Sequence, residues 1–160
     1  MAELPGLHHV TAICGDPQAN LDFYARVLGL RLVKRTVNFD DPGSYHLYYG
    51  DDAGRPGTLL TFFAWPGARR GRAGAGQARA HAFSVPRGSV PRWRSRVERG
   101  GETPSATGSR FGEESLGFAD PDGMRVELVA AEPESDAPGI VRVHSVTLLV
   151  ADAQPSAALL

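Results

Sequence analysis

The stretch Leu7-His8-His9-Val10-Thr11-Ala12-Ile13-Cys14-Gly15-Asp16 returns later in the chain as Val143-His144-Ser145-Val146-Thr147-Leu148-Leu149-Val150-Ala151-Asp152. Each copy is a short apolar run with a histidine near its start and an aspartate at its end. A repeat of this kind indicates that one structural unit has finished and that an equivalent one has begun. We therefore expect a complete first domain, followed by the beginning of a second domain that is truncated at Leu160.

The first unit continues outward from this strand into a helix and three further strands. Asp16 suits a helix N-cap and Pro17 suits the first helical position, where its missing N–H is not needed. Apolar residues recur at helical spacing from Leu21 to Leu28, and Gly29 is typical of a helix end. The three strands are predicted over Leu30–Phe39, Tyr45–Tyr49 and Thr58–Ala64.

The same order is predicted again in the second half. A strand over Arg79–Val85 and a helix over Ser89–Arg99 are followed by two or three short strands, and Asp120-Pro121-Asp122-Gly123 is typical of a tight turn. The short strands are predicted around Thr103–Thr107, Glu114–Phe118 and Met124–Ala130.

These elements define the domain organisation. We expect a domain over 7–131, composed of one βαβββ unit at about 7–66, a linker at 67–78 and a second unit at about 79–131. Residues 132–139 are a second linker, and 140–160 are the first strand and the start of the helix of the next domain. The fold class is α+β, with paired βαβββ units that form curved mixed sheets around a concave cavity. Such a cavity is a natural small-molecule site.

Composition narrows the class of protein. The chain has 160 residues, 42% of them hydrophobic, and a formal net charge of -1. This balance gives no electrostatic reason to expect nucleic acid or a membrane surface as a partner. No apolar run reaches the roughly 20 residues that span a bilayer. Cys14 is the only cysteine, which excludes an intrachain disulfide and favours the cytoplasm.

The glycine- and arginine-rich segment 67–77 has two interpretations. Arg69, Arg70 and Arg72 suit a phosphate-binding patch, but such a composition is more typical of a solvated, flexible connection, which we favour.

Several of these motifs together resemble a known superfamily. Leu7-His8-His9-Val10-Thr11, Asp16-Pro17, Asp120-Pro121-Asp122-Gly123 and Val126-Glu127-Leu128 are similar to the vicinal oxygen chelate superfamily. That group contains glyoxalase I, type I extradiol dioxygenases, and fosfomycin and bleomycin resistance proteins. The run 30–43, with Tyr45-His46-Leu47-Tyr48-Tyr49-Gly50-Asp51, most resembles the N-terminal half of a ring-cleaving dioxygenase of the hydroquinone type.

The resemblance implies a mononuclear Fe(II) site with two histidines and one glutamate, although Mn, Zn or Ni are also possible. This ligand set leaves positions open for a substrate oxygen and for O₂. The family register places the first ligand at His9, whereas His8 faces the other way by strand alternation. In the second unit, Glu127 lies where the motif places a metal ligand, but the counterpart of His9 falls on Ala80. His81 is one residue out of phase and should face the opposite side of its strand.

The remaining ligands of the hydroquinone-type enzymes come from a part of those proteins that this chain lacks. Glu127 is therefore either a ligand or a solvated relic of the motif. His46, in a tyrosine-rich strand, is either an acid/base group for a phenolic substrate or a packed strand histidine. Cys14 is expected to be an inert core thiol, and Trp93 to belong to the core.

The expected function is Fe(II)-dependent extradiol cleavage of a small dihydroxy-aromatic substrate by the full-length protein. Two alternatives remain open: a metal-free module that sequesters a small molecule, and a glyoxalase-type lyase. Glyoxalase I has a carboxylate on the fourth strand of its first unit, and Thr58–Ala64 contains none, which weakens the second alternative. Exposed sheet edges in a truncated chain predict a homodimer, with the strand Val141–Val150 pairing across the interface.

Overall fold

The computed structural model describes residues 6–133 and 139–159. They form nine strands in two sheets, together with three helical segments. The strands are β1 His9–Cys14, β2 Arg31–Val37, β3 Tyr45–Gly50, β4 Leu59–Ala64, β5 Gln77–Pro86, β6 Gly108–Arg110, β7 Glu113–Ala119, β8 Arg125–Glu132 and β9 Arg142–Leu149. The helices are α1 Pro17–Leu21, which runs directly into a π-helical turn over Asp22–Val27, α2 Val90–Arg99 and α3 Gln154–Leu159.

The first sheet confirms the predicted first unit. Its strand order is β1-β4-β3-β2. β1 and β4 are parallel, whereas β3 is antiparallel to both of its neighbours, so the sheet is mixed. β1 and β4 can be parallel because a helix and the two strands β2 and β3 lie between them in the chain. Parallel neighbours need a long connection of this kind. β1 is left as an edge strand among the described residues.

The helix of the first unit differs from the simple α-helix predicted. The side chain of Asp16 accepts a hydrogen bond from the Gln18 amide, as expected of an N-cap. After Leu21 the helix widens, and the Leu28 amide donates to the Phe23 carbonyl five residues back. A π-helical turn of this kind is rare and cannot be inferred from hydrophobic spacing. Here the consecutive aromatic residues Phe23 and Tyr24 are both buried.

The second sheet repeats this order and adds a strand. Its order is β6-β7-β8-β5-β9, with β5 and β8 parallel. The predicted strand Val141–Val150 is confirmed as β9, at the edge of this sheet, and its pairing across a dimer interface stays a prediction. β9 pairs antiparallel with β5 of the same chain, because β5 offers the free edge that an unpaired strand requires.

The end of the second unit also differs from expectation. No strand forms over Thr103–Thr107; the short strand is β6, at Gly108–Arg110. It turns into β7 through Phe111 and Gly112, both at positive φ, as a two-residue hairpin requires. Glu132 belongs to β8, and most of the predicted linker 132–139 lies outside the described residues.

One apolar core joins the two units. Trp93 and Val97 of α2 are buried, as predicted, and so is Cys14, whose thiol pKa is raised to about 12 chiefly by desolvation. A thiol of this kind stays protonated and is a poor nucleophile, which confirms the core role expected of Cys14. Among the described residues, no helix is both long and apolar enough to cross a membrane.

Candidate functional site on the open face of the first sheet

The first sheet has one face in the core and one face open, and alternation along each strand decides which side chain lies where. In β3 and β4 the core side chains are Leu47, Tyr49, Leu60 and Phe62, all of them buried. The opposite face carries His46 and Tyr48 from β3, Thr61 and Phe63 from β4, and His9, Thr11 and Ile13 from β1.

A chain of hydrogen bonds crosses three strands on this open face. The Tyr48 hydroxyl lies 2.9 Å from Nδ1 of His46, and Nε2 of His46 lies 3.2 Å from Oγ1 of Thr61. Thr61 in turn donates to Oγ1 of Thr11 at 2.9 Å. The strand register places these groups side by side, since Thr61 is the partner of both Thr11 and Tyr48. We call these four residues the relay.

The bond from Thr61 to Thr11 sets the direction of the other hydrogen bonds in the relay. Because the Thr61 hydroxyl donates to Thr11, it can accept from His46, which then carries its proton on Nε2. Nδ1 is left bare and accepts from the Tyr48 hydroxyl. The pKa of His46 is lowered from its ordinary value by desolvation and then by the charges of Lys34 and His9. The imidazole is therefore neutral at pH 7, as this pattern requires.

Aromatic rings hold His46 in place. Its ring centroid lies 4.0 Å from that of Phe63 and 4.2 Å from that of Tyr48, so the imidazole is packed between them. The Lys34 ammonium lies 5.3 Å from the centroid of the Tyr48 ring. The relay ends at Thr11, an exposed residue whose own hydroxyl proton remains available to a ligand oxygen on the open face.

His9 lies two residues before Thr11 on the same face of β1. It is exposed, and its Nδ1 lies 3.1 Å from Nδ1 of the neighbouring His8. The structure thus brings His9 and His46 to one face of one sheet. Among the described residues, no group of three His, Cys, Asp or Glu side chains is close enough together to hold a metal ion.

Glu127 lies in the second sheet, bound to two arginines. Its Oε2 accepts from Arg110 at 3.0 Å and its Oε1 accepts from Arg125 at 2.9 Å. Arg110 also donates to the Thr147 hydroxyl of β9 at 2.6 Å. Both carboxylate oxygens of Glu127 thus accept from arginines, and the side chain is only 13% exposed, which differs from the solvated relic. The role of Glu127 as a metal ligand stays a prediction.

His81 faces the core, on the opposite side of β5 from Ala80 and Ala82, as its phase predicted. Only 3% of His81 is exposed, and its ring lies near those of Tyr24 and Phe83. Desolvation lowers its pKa to about 4, so the imidazole is neutral. A buried neutral histidine of this kind takes no part in a site on the open face.

The sequence pattern of the glyoxalase/bleomycin resistance protein/dioxygenase superfamily matches residues 6–128, which covers both sheets apart from β9 and the last residues of β8. The chain belongs to this superfamily. The predicted resemblance and the predicted fold class are both confirmed by this match and by the two mixed sheets of paired βαβββ units.

Within the superfamily, the similar curated proteins carry dioxygenase names. "Putative ring-cleaving dioxygenase MhqO" of Bacillus subtilis (strain 168) is 54% identical over 127 residues, 79% of this chain and 40% of that protein. Chlorohydroquinone/hydroquinone 1,2-dioxygenase of Sphingobium indicum is 37% identical over 141 residues, 84% of this chain and 44% of that protein. The chain therefore spans about two fifths of the length of these relatives.

Solved structures agree with this placement. A crystal structure of a "putative dioxygenase" from Bacillus subtilis matches with a TM-score of 0.87 and 44% identity over 96% of this chain and 53% of that one. A glyoxalase family protein from Enterococcus faecalis matches 78% of the chain with a TM-score of 0.64 and 21% identity, which supports the fold alone.

The sequence named His46 as a candidate, in a tyrosine-rich strand, but missed Thr11 and Thr61. Alternation placed Thr11 on the face of His9, and this was the available signal. The contact between Thr11 and Thr61 depends on the pairing of β1 with β4, which local patterns do not encode.

Proposed function

We propose that this chain is the N-terminal part of a ring-cleaving dioxygenase that acts on a dihydroxy-aromatic substrate of the hydroquinone or catechol type. The relay on the open face of the first sheet is the observation that carries this proposal. Dioxygenase names among relatives of 37–54% identity support the reaction class.

The relay suits a phenolic ligand. With the His46 proton on Nε2, each hydroxyl in the row donates toward Thr11, and the Thr11 hydroxyl can donate to a substrate oxygen. A hydrogen bond donated by Thr11 favours the deprotonated form of the substrate oxygen, because a donor stabilises the anion. The Phe63 ring and the exposed Ile13 side chain supply apolar surface for the aromatic ring on the same face.

The residues of this chain do not by themselves fit a complete iron site. His9 is an accessible imidazole and is the ligand that we propose this chain contributes to an Fe(II) centre. We leave Glu127 out of the proposed iron ligands because its carboxylate is paired with Arg110 and Arg125. If this carboxylate bound a metal instead, two guanidinium groups would be left without their anion. The remaining ligands must then come from a second copy of this chain in a dimer or from the rest of the full-length protein, and Fe(II), when bound, would supply the activation of O₂.

We further propose that the isolated chain forms a homodimer through the outer edge of β1. No strand of the described residues covers that edge, and an uncovered edge with exposed backbone groups invites pairing. Such a dimer would bring a second His9 near the first.

A second candidate is metal-free binding of a small aromatic molecule. It is favoured by the donor set, since the described residues bring together no three metal-binding side chains. The relay and its aromatic neighbours would then serve binding alone.

Metal analysis of the chain, purified without oxygen and incubated with Fe(II), separates these functions. We expect iron to be retained by the wild type and by His8→Ala, and to be lost from His9→Ala. The adjacent His8 is the matched control, because it is an exposed histidine on the same strand end. Oxygen uptake with hydroquinone should follow the iron content.

Two results would contradict the proposal. Equal iron in His9→Ala and in the wild type would exclude His9 as a ligand. Tight hydroquinone binding without iron and without oxygen uptake would favour the second candidate. Sedimentation equilibrium of the same samples tests the homodimer, and a monomer at high micromolar concentration would exclude it.

A further inference from the structure

A second region able to bind a ligand lies away from the relay, where the chain crosses from the first sheet to the second. It is a cavity of about 620 Å³ between the end of β1, the loop 66–76 and the adjoining ends of β5 and β9. This volume is within the range of roughly 300–1,000 Å³ typical of small-molecule sites.

The cavity is strongly basic. Arg69, Arg70, Arg72 and Arg79 line it, and Asp122 is the only acidic residue among the lining residues. Both oxygens of the Asp122 carboxylate accept from the Gly15 amide at 3.1 Å, so one negative charge faces four positive ones. Within the described part of the chain, Arg69, Arg72 and Arg79 have no hydrogen-bond or ion-pair partner.

Part of the cavity lining is apolar. Ile13, Trp65 and Leu149 are 52%, 38% and 41% exposed, and all three line this cavity. Single exposed apolar side chains are common on protein surfaces. Several of them clustered together and surrounded by charged groups indicate a binding surface.

Four hydrogen bonds involve the arginine-bearing loop, and three of them join it to the second sheet or its turn. The Gly76 amide donates to the Leu149 carbonyl at 2.7 Å, and the Ala68 amide donates to the Trp65 carbonyl at 3.1 Å. Arg70 donates to the Pro121 carbonyl at 3.3 Å, and the Gly74 amide donates to the side chain of Gln77 at 3.1 Å. The loop is exposed along almost its whole length, as a solvated connection would be, and these contacts hold parts of its backbone.

We propose that this cavity binds a small organic carboxylate with an aromatic or unsaturated body. Guanidinium groups recognise carboxylates through paired N–H donors, and arginine also stacks on flat apolar groups. The wall of Trp65, Ile13 and Leu149 suits the body of such a ligand and offers nothing to a bare inorganic anion. This inference does not depend on ring cleavage, since no residue of the relay lines the cavity.

The cavity nevertheless adjoins the relay face. Ile13 lies opposite Phe63 in the strand register, and Phe63 packs on His46. The cavity therefore shares Ile13 with the open face of the first sheet.

Isothermal titration of the 160-residue chain with three probes tests the proposal. Benzoate carries both the ring and the charge, benzyl alcohol carries the ring alone, and inorganic phosphate carries the charge alone. We expect benzoate to bind more tightly than either of the other two, with an affinity that falls as salt is added. The Trp65 indole N–H resonance should shift with benzoate and saturate at the same concentration.

Variants identify the site. Arg72→Gln and Arg79→Gln remove charge from exposed side chains, and we expect each to weaken benzoate binding by about fivefold or more. Arg99→Gln on α2 is the matched control, since Arg99 is an exposed arginine that does not line the cavity, and it should bind benzoate as the wild type does.

Three results would overturn the proposal: phosphate bound as tightly as benzoate, benzoate binding unchanged in the double variant of Arg72 and Arg79, or no binding of any probe.

Discussion

The hydroxyl of Tyr24 donates to Oδ2 of Asp120 at 2.9 Å, and this buried hydrogen bond joins the helix of the first unit to a turn of the second. Asp120 also accepts from the amides of Asp122 and Met124, so one carboxylate closes its own turn and holds the neighbouring unit. Desolvation raises the pKa of Asp120, whereas these hydrogen bonds oppose the rise. The two units thus share polar as well as apolar contacts.

Replacing Tyr24 with Phe tests this link. The ring packing is kept, but a buried carboxylate loses one donor, and we expect unfolding free energy to fall by about 1–3 kcal/mol. Urea unfolding followed by circular dichroism measures the loss. Tyr45→Phe is the control, because Tyr45 is exposed and should tolerate the change; equal midpoints for both variants would show that the Tyr24 hydroxyl contributes nothing.

His81 should make stability depend on pH. Burial holds its pKa at about 4 in the folded chain, against about 6.5 when unfolded. Between these values only the unfolded state binds the proton, so stability should fall by up to about 3 kcal/mol as pH is lowered through this window. His81→Phe keeps an aromatic ring in the core and should remove this part of the pH dependence.

Urea midpoints at pH 7 and pH 5 measure the effect of His81. His8→Gln is the control, since His8 is exposed and its replacement should leave the slope unchanged. If His81→Phe lost as much stability as the wild type between pH 7 and pH 5, the buried histidine would not be the cause of the pH dependence.

Glu127→Gln should destabilise the second sheet without changing metal content. The variant leaves Arg110 without its anion, and the Arg110 side chain is only 21% exposed. We therefore expect the unfolding free energy to fall by about 1–3 kcal/mol. Arg125 is 44% exposed and should contribute less, because solvent screens its charge.

Glu132→Gln is the control for Glu127→Gln. This variant breaks the ion pair with Arg142, whose side chain is 59% exposed. The unfolding free energy should therefore fall by less than about 1 kcal/mol. A metal content that fell in Glu127→Gln while stability held would instead support Glu127 as a ligand.

Thr61→Val should break the relay with little change of shape. We expect His46 to lose its preference for a proton on Nε2, and the affinity for hydroquinone to fall by about fivefold, the worth of one hydrogen bond. Imidazole ¹⁵N resonances report the tautomer independently of binding. Thr36→Val is the control, because Thr36 lies opposite His46 on β2 but makes no hydrogen bond to it. An unchanged tautomer in Thr61→Val would show that the relay does not orient His46.

Much of the fold could be predicted because its signals are local. Asp16-Pro17 marks a helix start, alternation marks the strands, and the phase of His81 predicted that it faces the side of its strand opposite Ala80. The hairpin at Phe111 and Gly112 was missed, since a non-glycine residue at positive φ leaves little trace in composition.

By itself the sequence determined the two repeated βαβββ units, the family resemblance, and the opposite strand faces of His8 and His9. Only the tertiary structure decided which side chains meet across strands: Thr61 with Thr11 and His46, and Arg110 with Glu127. The physical reason is that alternation and helix caps arise from neighbours in the chain. Register and ion pairing between strands arise from long-range packing, where a slip of one residue would turn every side chain to the other face.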